Sequence, residues 1–350
     1  MSTMRRRDTI RVLIVDDSMV YREVLTKGLS TDSSIEVVAT AKDPFDARDK
    51  ILEFEPDVMT CDVEMPRMNG IDFIKRLLPQ YPLPVIVVST ISDAVFEAMN
   101  AGVVDFVTKP DIRYASDVEN FLKDLIKKVK IAKNAKVHHK TERNSPLNST
   151  HIHTSGIARG IIGIGASTGG TEAIHSILKS LPQQIPGIVI VQHIPPVFSR
   201  MFADRLNGTT SLLVKEAETG DILGPGKVLI APGDRHMRIR RRGNEYSVEC
   251  FDGEKVNGHC PSVDVLFESI AKEAGSRAIG VILTGMGYDG ARGLLAMKRS
   301  GAMTLGQDQE SSIVYGMPKA AYEAGAVQQQ MPLQQIGATL CLLTNVRGTI

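Results

Sequence analysis

No sign of charge prevails in these 350 residues, where 41 Lys and Arg stand against 40 Asp and Glu. A chain so evenly balanced has no overall field to draw in nucleic acid or an anionic membrane surface. Cysteine is scarce. Cys61, Cys250, Cys260 and Cys341 form no C-x-x-C pair, which argues against both a zinc site and a disulfide framework and suits a reducing compartment. No apolar run approaches the roughly 20 residues that span a bilayer. The opening MSTMRRRDTI lacks the apolar core and small-residue cleavage site of a secretory signal. The expectation is a soluble cytoplasmic protein, monomeric by default, with no nucleic-acid partner and no direct membrane insertion.

What is present is patterned apolar sequence. Hydrophobic residues make up 43% and charged residues 23%, a balance typical of folded globular chains, and the length suits about two domains. From Ile10 to about residue 131, the apolar runs RVLIVDD, EVVATA, DVMTCD, PVIVVST and DFVTKP alternate with amphipathic stretches near 18–30, 44–53, 70–78 and 92–100 and a final helix. Five strands, each followed by a helix, imply a flavodoxin-like parallel sheet wound on both faces, with ligand sites at the carboxyl ends of its strands. Residues from about 133 to 158 lose this periodicity and read as a solvated linker; His138, His139, His151 and His153 fit that reading better than a metal set. Beyond it, RGIIGIGASTGG, GIVIVQH, KVLIAPG and AIGVILTG alternate with helices, including PSVDVLFESIAKEAG and one near 196–206, and MRIRR with YSVECF reads as a β-hairpin. This is a second doubly wound, mostly parallel α/β unit. The boundaries drawn are 1–131, a linker at 132–158, and 159–350.

Chemistry-bearing residues fall at strand ends. In the first unit Asp16 and Asp17 close the first strand, Asp62 the third, Ser89 and Thr90 the fourth, and Lys109 with Pro110 the fifth. Clustered carboxylates repel, so they make sense around a hard cation such as Mg²⁺; a lysine and a hydroxyl beside them suit a phosphoryl group received on a carboxylate. Acids after single strands are commonly turn formers or helix caps, but convergence at four strand ends is hard to explain that way. This pattern resembles response-regulator receiver domains over nearly all of residues 10–131. The resemblance implies that Asp62 accepts the phosphoryl group. It further implies that Asp17, Asp62 and the Glu64 carbonyl ligate Mg²⁺ with Asp16 assisting through water, that Ser89 and Lys109 contact the phosphoryl group, and that Phe106 is the aromatic switch residue. The hydroxyl could instead be that of Thr90.

In the second unit, Gly165-Ala166-Ser167-Thr168-Gly169 sits between an apolar strand and a helix. Small residues on either side permit the sharp turn that lifts a serine hydroxyl above the sheet. His193 follows the next strand, and Asp289 lies in the loop TGMGYDG. Together they could serve as nucleophile, general base and orienting carboxylate. Their order, Ser, His, Asp, differs from that of α/β-hydrolases. The same Gly-rich turn also fits a dinucleotide fold, but such folds end their second strand in an acid or place an Arg nearby, whereas this strand ends in His193. Arg238 to Arg242 read as a solvated hairpin edge rather than a phosphate patch, and Val263, Leu266, Phe267 and Ile270 as core. His236 suits a cleft or a structural role equally.

Taken in order after a receiver-like domain, IGASTGGTEAI, QHIPP, LIAPGDRHM, PSVDVLF and VILTGMGYDGARGL closely resemble the chemotaxis protein-glutamate methylesterase/glutamine deamidase family. The resemblance implies attack by Ser167 on glutamate γ-methyl esters of methyl-accepting chemotaxis receptors, with His193 as base and Asp289 as its orienter. Methanol is the product, some glutamines are deamidated by the same route, and backbone N–H groups near Thr168 and Met286 form the oxyanion hole. It also implies that a chemotaxis histidine kinase is the phosphodonor, that the receiver domain covers the hydrolase cleft until phosphorylated, and that the esterase step needs no cofactor. Tyr288 departs from the Asn common beside the catalytic Asp, which puts the bonding around Asp289 in question. Arg5 to Arg7 have no assigned role. A DNA-binding output lacks a recognition helix, a nicotinamide-dependent reductase fails at His193, and an inactive adaptor sits badly with an intact Ser167, His193 and Asp289.

Overall fold

The computed structural model describes residues 9–66, 68–90, 94–136 and 160–346; Arg5 to Arg7 and the four histidines of the expected linker lie outside these residues. The chain divides into two compact units, within residues 1–142 and 143–350.

The first unit runs β1 (Ile10–Val15), α1 (Met19–Leu29), β2 (Ile35–Ala41), α2 (Pro44–Phe54), β3 (Val58–Cys61), α3 (Gly70–Leu77), β4 (Val85–Ser89), α4 (Ala94–Asn100), β5 (Asp105–Thr108) and α5 (Ala115–Ala132). Its five strands are parallel in the order β2-β1-β3-β4-β5. β3 and β4 are buried throughout, as strands covered on both faces must be, and this explains their unbroken apolar runs. Ser18, Asp43 and Asn69 cap α1, α2 and α3 by accepting N–H bonds of the first turn. Gly70 lets α3 start hard against the end of β3, because a Cβ there would lie 2.0 Å from the Asp62 carbonyl oxygen. The expected final helix ends at Ala132.

The second unit runs β6 (Ile161–Ala166), α6 (Gly170–Lys179), β7 (Gly187–Gln192), α7 (Pro196–Thr209), β8 (Leu213–Glu216), β9 (Lys227–Ile230), β10 (His236–Arg242), β11 (Glu245–Phe251), α8 (Val263–Glu273), β12 (Ala278–Ile282), α9 (Ala291–Arg299), β13 (Met303–Gln307), α10 (Met317–Glu323), β14 (Gln329–Met331) and α11 (Leu333–Leu343). Seven strands form a parallel sheet in the order β14-β13-β12-β6-β7-β9-β8, while β10 and β11 pair separately as the expected antiparallel hairpin. From β6 the chain builds outward through β7 to β9 and β8, then returns to the other side of β6 with β12. That reversal opens a crevice at the carboxyl ends of β6 and β12.

Packing of α8 determines the shape of this crevice. Val263, Leu266, Phe267 and Ile270 are all fully buried, so the stripe is core as expected. They meet β6 at its glycines: a Cβ on Gly165 would lie 2.2 Å from Val263 Cγ1, and one on Gly163 2.4 Å from Ile270 Cδ1. The amino end of α8 is thereby drawn against the strand that leads to Ser167.

Candidate functional site

The acidic cluster forms as the strand ends require. Asp16, Asp17 and Asp62 each offer an oxygen within 4.8 Å of the others. Asp16 and Asp62 are buried, and Asp17 is exposed. Lys109 donates to Asp62 Oδ2 at 2.6 Å and pairs with Asp16 Oδ2 at 2.9 Å. Burial pushes the Asp62 carboxyl above its ordinary value, and Lys109 pulls against that rise. Lys109 loses ground to burial but is held above its ordinary value by the two carboxylates. The Glu64 N–H donates to Asp62 Oδ1 at 3.3 Å, so the Asp62–Glu64 turn curls around the carboxylate. Arg22 donates to the Asp16 and Asp17 carbonyls at 2.7 and 2.9 Å and fixes the turn after β1.

The choice between the two strand-end hydroxyls is clearer in three dimensions. Ser89 is buried and its Oγ has no hydrogen-bond partner among the described residues, whereas Thr90 is exposed. Phe106 is buried, with the Lys128 ammonium 5.3 Å from its ring centre. Three carboxylates with no soft donor among them suit a hard divalent cation of the Mg²⁺ kind.

The second cluster is assembled by three neighbouring strands. β6 delivers Ser167, whose N–H donates to the Thr284 carbonyl at 3.0 Å. The following turn passes through Gly169 at φ 76°, a left-handed conformation that favours glycine, before α6 begins. β7 delivers His193, whose N–H bonds the Ala166 carbonyl at 3.1 Å. The loop after β12 lies against the serine, for a Cβ on Gly285 would stand 2.7 Å from Ser167 Cβ. That loop carries Met286, half exposed, and leads to Asp289, fully buried. Thr168 is buried and its carbonyl accepts the Thr284 hydroxyl at 3.0 Å.

His193 Nε2 lies 2.9 Å from Asp289 Oδ2. Asp289 also accepts the Val263 N–H at 2.7 Å, the Ser262 hydroxyl at 2.7 Å, Asn257 Nδ2 at 2.8 Å and the Asp264 N–H at 3.2 Å. Burial alone would raise this carboxyl, but the hydrogen bonds from His193, Asn257 and Ser262 overcome it and hold Asp289 far below the usual carboxylate range. An ionised Asp289 keeps the His193 proton on Nε2 and leaves Nδ1 as the basic nitrogen. His193 Nδ1 is buried with no hydrogen-bond partner among the described residues, and none of the hydrogen bonds among them joins it to Ser167 Oγ. Contacts between nucleophile and base commonly tighten only with substrate bound.

Tyr288 does not disturb this arrangement. Its side chain is 63% exposed, and every donor to Asp289 comes from elsewhere. His236 is structural: buried, it accepts the Ser262 N–H on Nδ1 at 3.2 Å and bonds the Glu254 carbonyl through Nε2 at 2.9 Å. Arg238 and Arg240 both pair with Glu249 across the hairpin, as a solvated edge does.

Several participants were not singled out by the sequence reading. Asn257 and Ser262 belong to a loop whose path is set by tertiary contacts. Gln192, buried at the end of β7, donates through Nε2 to the Ser167 carbonyl at 2.9 Å and the His193 carbonyl at 3.2 Å. A polar residue closing an otherwise apolar buried strand was the available signal. His259 lies against the His193 ring and had no such signal.

Comparison with known proteins follows the same division. The CheB methylesterase family matches residues 162–340, and the response regulator receiver domain matches residues 12–114. Over 336 residues, 96% of this chain and 98% of the relative, the sequence is 56% identical to protein-glutamate methylesterase/protein-glutamine glutaminase 2 of Syntrophomonas wolfei. The protein-glutamate methylesterase/protein-glutamine glutaminase of Escherichia coli (strain K12) is 46% identical over 334 residues, 93% of this chain and 95% of that one. Among solved structures, the Thermotoga maritima CheB methylesterase catalytic domain superposes with a TM-score of 0.52 at 39% identity, covering 53% of this chain and 98% of that one. With its own family matched over half its length, and relatives aligned nearly end to end, the chain belongs to the CheB methylesterase family.

Proposed function

We propose that this protein hydrolyses glutamate γ-methyl esters on methyl-accepting chemotaxis receptors, deamidates glutamines by the same route, and is switched by phosphorylation of Asp62. The observation that carries the reading is the placement of Ser167, His193 and Asp289 at the carboxyl ends of β6, β7 and β12, with His193 and Asp289 joined at 2.9 Å. The names of its relatives supply the substrate class.

In the proposed reaction Ser167 Oγ attacks the ester carbonyl carbon while its proton passes to His193 Nδ1. Asp289, ionised and hydrogen-bonded to Nε2, stabilises the imidazolium that results. The backbone N–H groups of Thr168 and Met286 receive the developing oxyanion, a contribution of about 3 kcal/mol per donor in comparable hydrolases. The imidazolium returns its proton to the leaving oxygen of an ester, and methanol departs, or to the leaving nitrogen of a glutamine, and ammonia departs. Water, deprotonated by His193, then cleaves the acyl-enzyme to a free carboxylate and restores Ser167.

In the receiver domain Asp62 is the acceptor of a phosphoryl group from a chemotaxis histidine kinase. Asp17, Asp62 and the Glu64 carbonyl would hold Mg²⁺ with Asp16 assisting, and the ion when bound neutralises charge on the arriving phosphoryl oxygens. Lys109 pairs with those oxygens and Ser89 Oγ hydrogen-bonds them. The esterase step draws on side chains and backbone alone.

The test is methanol release from a methyl-esterified receptor cytoplasmic fragment by the full chain, with and without kinase and ATP. Release that rises on phosphorylation and vanishes in Ser167→Ala is the expected result. Undiminished release by Ser167→Ala would overturn the assignment.

A further inference from the structure

His193 must do more than lie near Ser167: its Nδ1 lone pair, which lies in the ring plane, has to point at the serine hydroxyl. The bond from Nε2 to Asp289 does not secure this. The axis through Cβ and Cγ, about which an imidazole turns, leaves the ring close to Nε2. Turning the ring therefore sweeps Nδ1 through a wide arc while Nε2 barely moves, and this torsion is intrinsically broad. Something has to hold the ring by its face.

The His259 ring does so. It lies parallel to His193, with ring centres 3.7 Å apart and planes within 4°. Flat rings at that separation are in van der Waals contact, so rotating His193 drives one edge into His259. His259 is itself anchored, exchanging two backbone hydrogen bonds with Val256, each of 3.0 Å. That loop also supplies Asn257 and Ser262 to the Asp289 carboxylate, and the first turn of α8, into which it runs, supplies Val263 and Asp264. One short segment therefore holds the carboxylate along its edges and the imidazole by its face, so that both are aligned to the same piece of backbone.

We propose that His259 is a positioning residue for His193, its ring fixing the plane of the general base so that Nδ1 faces Ser167. A flat apolar ring can do the same, and a small side chain cannot. The inference rests on His193 acting as the base, and its test is chosen to be independent of the receptor substrate. The probe is a fluorophosphonate, which reports base-assisted serine reactivity directly. Ser167 Oγ forms a bond to phosphorus, the P–F bond breaks, fluoride leaves and the hydroxyl proton passes to His193.

Labelling of the full chain is followed as inactivation rate and as half-saturating probe concentration for wild type, Ser167→Ala, His259→Ala, His259→Leu and His259→Phe, each with its thermal midpoint. Ser167→Ala should not label. His259→Ala and His259→Leu should lose at least about tenfold in maximal rate, the scale of a misaligned catalytic group, with half-saturation unchanged. His259→Phe should stay within about threefold of wild type, a rescue that general loop damage would not give. Wild-type rates in His259→Ala, or equal losses in the Phe and Ala variants, would overturn the proposal. So would a wild-type chain that never labels, since its base would then not be serving Ser167. Brisk labelling without methanol release would instead count against the substrate reading, and the His259 series would still decide this one.

Discussion

Asp289 shows how much one carboxylate can organise. It accepts four hydrogen bonds besides that from His193, and together they hold its carboxyl far below the ordinary value of 3.8. A folded-state pKa lowered in this way stabilises the protein fully above the unfolded value, and the stabilisation is lost as pH falls through the folded one. Asp289→Asn is expected to be less stable than wild type at neutral pH, because its amide sets a donor against other donors. The gap should narrow as pH falls below about 4, where wild type begins to lose the advantage. Urea melts across that range check this, and a gap independent of pH would refute it. The same variant should lose roughly 10⁴-fold in maximal rate, through the wrong imidazole tautomer, in a methanol-release assay. Gln192 makes a different contribution, tethering the carbonyls of Ser167 and His193 with one carboxamide. Gln192→Leu should cost about 1–3 kcal/mol in a urea melt, and its turnover should fall more than its KM rises.

At the scale of elements, the approach of α8 to β6 connects core packing to chemistry. Gly163 and Gly165 leave room for Ile270 and Val263, and the Val263 N–H is one of the donors to Asp289. Gly165→Ala would put a methyl group 2.2 Å from Val263 Cγ1 and push the amino end of α8 away from the carboxylate. We expect about 1–3 kcal/mol of lost stability together with reduced methanol release. Unchanged melting with full activity would show that α8 gives way without cost. Strand ends were also what made the sites legible in the sequence. Asp16 and Asp62, and likewise Ser167 and His193, each follow an apolar run of the kind that buried parallel strands carry, while Lys109 follows the shorter Asp105–Thr108. Other parts were obscure for physical reasons. Leu213–Glu216 is short and half polar, and Met303–Gln307 is broken by Thr and Gly, so neither β8 nor β13 stands out by periodicity. Asn257 and His259 sit in a loop with no period at all, and the partners that matter here, Asp289 and His193, lie far along the chain.

Across the whole molecule, two parallel sheets follow the same rule for unrelated chemistry: each gathers at its carboxyl edge the side chains proposed to react, one set for phosphoryl transfer and one for ester hydrolysis. Coupling between them needs little energy. A tenfold rise in hydrolysis on phosphorylation corresponds to about 1.4 kcal/mol of difference between two states, well within what one new doubly charged group can exert. The proposed entry point for that energy is Asp62, whose Oδ2 already meets Lys109 at 2.6 Å. Asp62→Asn removes the acceptor without touching Ser167, His193 or Asp289. It is expected to keep the basal methanol release of the unphosphorylated wild type, to incorporate no phosphate from the kinase, and to show no rise in rate when kinase and ATP are added. Assays of the two full-length chains side by side, with phosphate incorporation measured in the same tubes, decide the matter. A strong rise in the variant would place the acceptor elsewhere, while a phosphorylated wild type with no rise would separate the receiver from control of the esterase.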